Sequence, residues 1–113
     1  MASDSVLVSR RSHTYEFGGE KFTIPGRNTR IVENYNIYLS AVKLLNELCR
    51  ERLEIYTMKE KGLIFYLQKS SNGSIKTPVI VMDTADLAPS IGFRDELDAE
   101  MKSKLLRILG EEN

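Results

Sequence analysis

The residues best suited to chemistry are two arginines in the segment GRNTR at positions 26–30. Pro25 and Gly26 end a predicted strand, and Asn28 or Thr29 is a residue type that caps helices. A helix start presents unpaired backbone N–H groups, which together with guanidinium groups favour a phosphate or carboxylate. The alternative interpretation is a capped helix with two solvated arginines. The predicted anion site comprises Arg27, Asn28, Thr29 and Arg30, extended by Arg10 and Arg11 if a hairpin brings them near.

Catalytic and metal chemistry have little support in the sequence. A zinc site needs about four Cys, His or carboxylate ligands, whereas the chain has one cysteine, Cys49, and one histidine, His13. Cys49 falls on an apolar helix stripe, where a buried thiol is unreactive. The C-terminal third carries several carboxylates: Asp83, Asp86, Asp95, Glu96, Asp98 and Glu100. They lack calcium-loop spacing, and the helix dipole explains those at the last helix. We therefore predict no catalytic set, no metal and no cofactor.

Composition indicates a single globular domain in a reducing compartment. The 113 residues are 42% hydrophobic and 28% charged, which is ordinary for a globular protein. A lone cysteine allows no internal disulfide, and no apolar run reaches the roughly 18 residues of a membrane span. We expect a cytoplasmic protein without membrane contact. The expected unit is one α+β domain over residues 1–113, with residues 1–5 flexible.

The balanced net charge conceals an asymmetry along the chain. Residues 1–80 contain 12 Lys and Arg against 8 Asp and Glu, a balance of +4. Residues 81–113 contain 4 against 8, a balance of −4. A basic body with an acidic C-terminal part favours pairing between the two, within one chain or between copies. A dedicated nucleic-acid binder would be more uniformly basic.

Two hairpins are predicted. Residues 13–17 and 20–24 alternate around Gly18-Gly19, which places Tyr15 opposite Phe22 and Glu16 opposite Lys21. Residues 63–69 and 75–82 flank a turn that contains Asn72-Gly73. The run Val79-Ile80-Val81-Met82 is apolar on both faces, as a central strand is.

Two helices complete the predicted fold. One runs from Arg30 to about Glu54 without Gly or Pro, and the other spans about residues 93–109, before Gly110. The element order is ββαββα. The expected architecture is an antiparallel or mixed sheet, with the long and the shorter helix packed on one face.

The long helix carries two apolar stripes about 120° apart. One stripe must cover the sheet, and the other needs a partner of its own. The last helix can cover it within the chain, or a second chain can cover it between molecules. The predicted interface comprises Ile37, Ala41, Leu44, Leu48 and Ile55.

Three functions follow from these patterns. The first is a non-catalytic interaction protein that self-associates, as a two-fold dimer, and binds a macromolecular partner through the long helix. The alternative is an anion-binding module for the phosphates of a nucleotide, RNA or DNA, using residues 26–30. The third is a small enzyme with carboxylate-based chemistry.

Overall fold

A computed structural model describes residues 6–69, 77–85 and 87–110. The predicted flexible segment 1–5 and the turn at Asn72-Gly73 lie outside these residues. The strands are β1 Val6–Val8, β2 His13–Phe17, β3 Glu20–Ile24, β4 Thr29–Val32, β5 Leu53–Met58, β6 Leu63–Gln68, β7 Ile80–Asp83 and β8 Ser90–Phe93. The helices are α1 Tyr35–Glu51 and α2 Ala99–Ile108. No helix among the described residues is long and apolar enough to cross a membrane.

The fold has three layers, with the larger sheet as the middle one. Six strands form an antiparallel sheet in the order β1-β4-β8-β7-β6-β5. Both helices share one core cluster with side chains of this sheet, while β2 and β3 form a separate hairpin that packs through a second cluster. The sheet therefore lies between a helix layer and a hairpin layer.

Both helices begin at side-chain caps. The Asn34 side chain accepts from the N–H groups of Asn36 and Ile37, which starts α1. Asp98 accepts from the N–H groups of Glu100 and Met101, which starts α2. Each cap satisfies backbone donors that a helix start leaves unpaired.

The helix layer packs through a fully apolar core. α1 contributes Leu45, which is completely buried, and α2 contributes Met101 and Leu105. The sheet contributes Ile80 and Met82, which alternate along β7 with Val81 on the opposite face. The expectation of a central strand that is apolar on both faces is confirmed by this alternation.

The β2–β3 hairpin forms with the predicted register. Tyr15 lies opposite Phe22, and Glu16 lies opposite Lys21. Gly18 and Gly19 both have positive φ, at 64° and 83°, the backbone that a tight two-residue hairpin turn requires.

The hairpin also lies very close to the sheet. A Cβ added to Gly92 on β8 would sit 2.8 Å from Cγ2 of Ile24, a residue of β3. Glycine at this position therefore permits the close approach of hairpin and sheet.

The predicted long helix is wrong at both ends. Residues 29–32 form β4, α1 covers only 35–51, and residues 53–58 form β5. β-branched and aromatic residues favour strands in both flanking segments. The predicted order ββαββα also omitted β1 and β8, and α2 begins at Ala99 rather than near Phe93.

Candidate functional site

The arginine segment does not begin a helix. Residues 26–28 form one 3-10 turn, and Thr29 opens strand β4. Because no α-helix begins here, the helix-start donors on which the anion site was predicted are absent from this segment. This part of the prediction is wrong.

The carboxylate of Asp95 in the same chain binds the polar side chains of this segment. Arg27 Nη2 lies 2.9 Å from Asp95 Oδ2, and Asn28 Nδ2 donates to Asp95 Oδ1 over 2.8 Å. The hydrogen bond from Asn28 and the nearby Arg27 charge hold the pKa of Asp95 below its ordinary value. The two contacts tie the β3–β4 connection to the loop before α2.

The remaining predicted anion ligands face other groups. Arg30 is buried, at 7% exposed, and its Nη1 donates to the Arg27 carbonyl over 2.6 Å. The Thr29 hydroxyl donates to the Pro25 carbonyl over 3.3 Å. These contacts give Thr29 and Arg30 a structural role at the start of strand β4.

Arg10 and Arg11 do lie beside the segment. A Cβ added to Gly26 would sit 2.8 Å from the Arg11 carbonyl oxygen, and the Ser9 N–H donates to the Thr29 carbonyl over 2.8 Å. Both arginines are exposed. The structure therefore brings the backbone of residues 10 and 11 to the loop.

The predicted interface residues divide between core and surface. Ala41 and Leu48 are buried in the helix-side core, and Ile37 and Leu44 are half-buried against it. Ile55 lies outside α1, on strand β5, and is 49% exposed. Four of the five residues thus pack against the core that both helices share.

The outer edge of β5 presents backbone groups that no described strand pairs. Continuing the β5–β6 register places Arg52 opposite Lys69, whose N–H donates to the Arg52 carbonyl over 2.8 Å. Hydrogen-bonded and non-hydrogen-bonded pairs alternate along an antiparallel ladder. Tyr56 therefore turns its N–H and C=O toward β6, while Ile55 and Thr57 turn theirs toward the open edge.

Two large apolar side chains of β5 lie half-exposed beside that edge, one on each face of the sheet. The ring of Tyr56 meets Phe17 edge-on at 5.2 Å and stacks near Phe65 at 6.4 Å on the hairpin side. Ile55 lies opposite Tyr66, a residue of the helix-side core, so its side chain lies on the helix side. Glu54 is the one charged residue within β5.

A second feature is a cleft of about 530 Å³ where β4 meets α1 and β7 leads to β8. Tyr35 and Tyr38 line it from α1, with ring centroids 6.2 Å apart and planes 30° from parallel. Leu87 and Pro89 line it from the β7–β8 loop, and Glu33 is the one charged side chain that the described residues contribute to its lining. Its volume lies within the roughly 300–1,000 Å³ typical of ligand pockets.

The cysteine and histidine are placed in different layers. Cys49 is half-buried against the helix-side core, and this burial raises the pKa of its thiol. His13 lies on β2, with Nε2 3.1 Å from the Ser9 hydroxyl. The central sheet therefore lies between the two side chains. Across the described part of the chain, no three His, Cys, Asp or Glu side chains are grouped to hold a metal ion.

The edge strand and the cleft both escaped the sequence interpretation. The signal for β5 was the run LEIYTM, whose β-branched and aromatic residues favour a strand. The cleft brings residues of the segment 32–38 together with residue 84 and residues 87–89, which lie far from that segment in the sequence. No local pattern reports such a juxtaposition.

No family model, curated protein or solved structure matches this chain. The arguments for its function therefore come from its own contacts and surfaces.

Proposed function

We propose that this chain is a non-catalytic interaction protein that forms a two-fold dimer through the edge of β5. The observation that carries the proposal is a six-residue edge strand with outward backbone groups and the half-exposed side chains of Ile55 and Tyr56. An open edge of this length and apolar character is a template for another strand. A second copy offers the same template.

The pairing geometry follows from symmetry. Two copies of β5 run antiparallel when the two-fold axis is perpendicular to the sheet, and both helix layers then lie on the same side. Residues directly opposite each other share a face, so Ile55 meets Ile55 or Thr57 of the second copy. In either register the outward N–H and C=O groups of both residues gain partners, and the sheet continues through the dimer.

The other sheet edge is a poorer template. Over the described part of the chain, β1 has three residues, half the length of β5. Its Leu7 is exposed to a similar degree, 52% against 49% for Ile55. Similar side-chain exposure with different backbone length makes Leu7 a matched control for Ile55.

The test is the molar mass of two variants, measured by light scattering after gel filtration. The parent protein is expected at twice the mass of the 12.9 kDa chain. Ile55→Lys should give a monomer, because it places two lysines at the centre of the paired edge, where desolvating a charge is costly. Leu7→Lys should remain a dimer. Equal dissociation of both variants, or a parent that is monomeric even near about 1 mM protein, would exclude the β5 dimer.

A further inference from the structure

The cleft between Glu33 and Pro89 differs from the β5 edge in both place and chemistry. It lies between the end of β4, the start of α1 and the β7–β8 loop, and strand β6 separates β7 from β5 in the sheet. Apolar and aromatic side chains line most of it, beside Glu33 and Thr84, and its rim residues Tyr35 and Leu87 are exposed, Leu87 fully. Large apolar side chains left in water beside a cleft mark a contact surface.

The charges of the cleft favour a cationic partner. Glu33 is exposed and is the one charged residue among the described residues of the lining. The first N–H groups of α1 already donate to the Asn34 side chain, which removes them as donors for an anion. An acidic ligand would therefore meet repulsion from Glu33, and no described lysine or arginine lines the cleft to offset it.

We propose that this cleft binds a peptide segment of another protein in which an apolar side chain stands next to lysine or arginine. The apolar side chain lies between the Tyr35 and Tyr38 rings and Leu87, and the cation lies against Glu33. The exposed rim favours a macromolecular segment, since a small molecule would leave Tyr35 and Leu87 in water. Tyrosine is among the residue types enriched in such contacts.

Peptide binding in this cleft is independent of the β5 dimer, so either proposal can fail while the other holds. The cleft would bind its peptide whether the chain is a monomer or a dimer, because β6 lies between the two surfaces. The Ile55→Lys variant should bind the peptide as the parent does. A dimer that binds no peptide refutes the cleft alone, and a peptide-binding monomer refutes the dimer alone.

The probe is a phage-displayed library of random heptapeptides, selected on the immobilised protein and counter-selected on a Tyr35→Ser/Leu87→Ser variant. Both replaced residues are exposed, and thermal unfolding of the variant checks that it is folded. Enriched peptides should combine a Leu, Ile, Met or Phe with an adjacent Lys or Arg. Enrichment of acidic peptides, or none beyond the counter-selected variant, would overturn the proposal.

The affinity of one enriched peptide, measured by fluorescence anisotropy, supplies the second test. The double variant should weaken binding by at least about tenfold, in line with loss of a central apolar anchor. Glu33→Lys should weaken it by about two- to fivefold, as expected for an exposed charge pair. Leu39→Ser is the matched control: Leu39 is 44% exposed on α1 outside the cleft lining, and binding should not change.

Two outcomes would contradict the assigned site directly. Equal loss of affinity in Leu39→Ser and the double variant would show that the peptide lies on the helix surface outside the cleft. A change in molar mass of the double variant would show that a second copy of the chain occupies the cleft. Either result overturns binding of a foreign peptide in this cleft.

Discussion

Replacing Phe65 by alanine tests whether the aromatic cluster holds the β2–β3 hairpin to the sheet. Phe65 is completely buried on β6, and its ring lies 5.2 Å from Phe17, 6.1 Å from Phe22 and 6.4 Å from Tyr15. The side chain is the common neighbour of three hairpin rings. Its removal therefore opens a cavity between two layers rather than within one.

The expected loss of stability is near the middle of the range for a buried phenylalanine. A Phe→Ala change in a core costs about 3–5 kcal/mol, and full burial among aromatic rings suggests about 4 kcal/mol. An unfolding entropy of about 2.1 cal/mol/K per residue then gives a melting temperature lower by about 17 °C for 113 residues. Such a loss is a large fraction of the total stability expected for a domain of this size.

The assay is thermal and urea unfolding followed by circular dichroism, with Phe65→Leu as the control. Leucine retains most of the apolar volume, so its destabilisation should be less than half that of alanine. Losses below about 1 kcal/mol for Phe65→Ala would refute the packed hairpin layer, because burial of this ring could not then be complete.

Two further predictions concern single titratable groups. The pKa of Asp95 is lowered by Asn28 and Arg27, so its contribution to stability is present above the carboxyl's ordinary pKa and is lost as pH falls through the lowered value. The urea concentration at the midpoint of unfolding, measured from about pH 6 to pH 2, should therefore fall less steeply with pH in Asp95→Asn than in the parent protein. The same fall in both proteins would contradict the contact. Burial raises the pKa of Cys49, so a disulfide reagent at neutral pH should label it much more slowly in the native than in the unfolded protein. Equal labelling rates would contradict its packing against the helix-side core.

Local patterns were enough for the parts of the fold held by neighbouring residues. The register of Tyr15 with Phe22 followed from two alternating runs around Gly18-Gly19, because turn type and alternation determine pairing locally. The run of consecutive apolar residues around Val81 identified a central strand, because a strand buried on both faces has apolar residues at every position.

The apolar periodicity of the sequence could not locate the ends of α1. Ile31 and Leu53 continue the apolar spacing of the helix, although each lies on a strand. An inward-facing residue at a strand end has the same apolar character as one on a helix, so periodicity does not separate them. The cap at Asn34 was the local signal that marks the true start.

The predicted anion site could not be judged from its own segment. Arg27 and Asn28 meet Asp95, which is 68 and 67 residues further along the chain. The asymmetry of charge between the body and the C-terminal part anticipated such pairing, and Arg52 with Glu100 is a second example, at 3.1 Å. Which carboxylate meets which arginine depends on the tertiary fold.

The dimer at β5 is the central claim, and amide hydrogen exchange on this strand tests it most directly. Tyr56 turns its N–H toward β6 in any state, whereas Ile55 and Thr57 turn theirs to the open edge, where no described strand pairs them and a second copy would protect them. At protein concentrations near about 1 mM, where even a weak dimer is populated, the amides of Ile55 and Thr57 should exchange nearly as slowly as that of Tyr56, and dilution should speed them selectively. Fast exchange at Ile55 and Thr57 at every concentration, beside a protected Tyr56, would contradict the account.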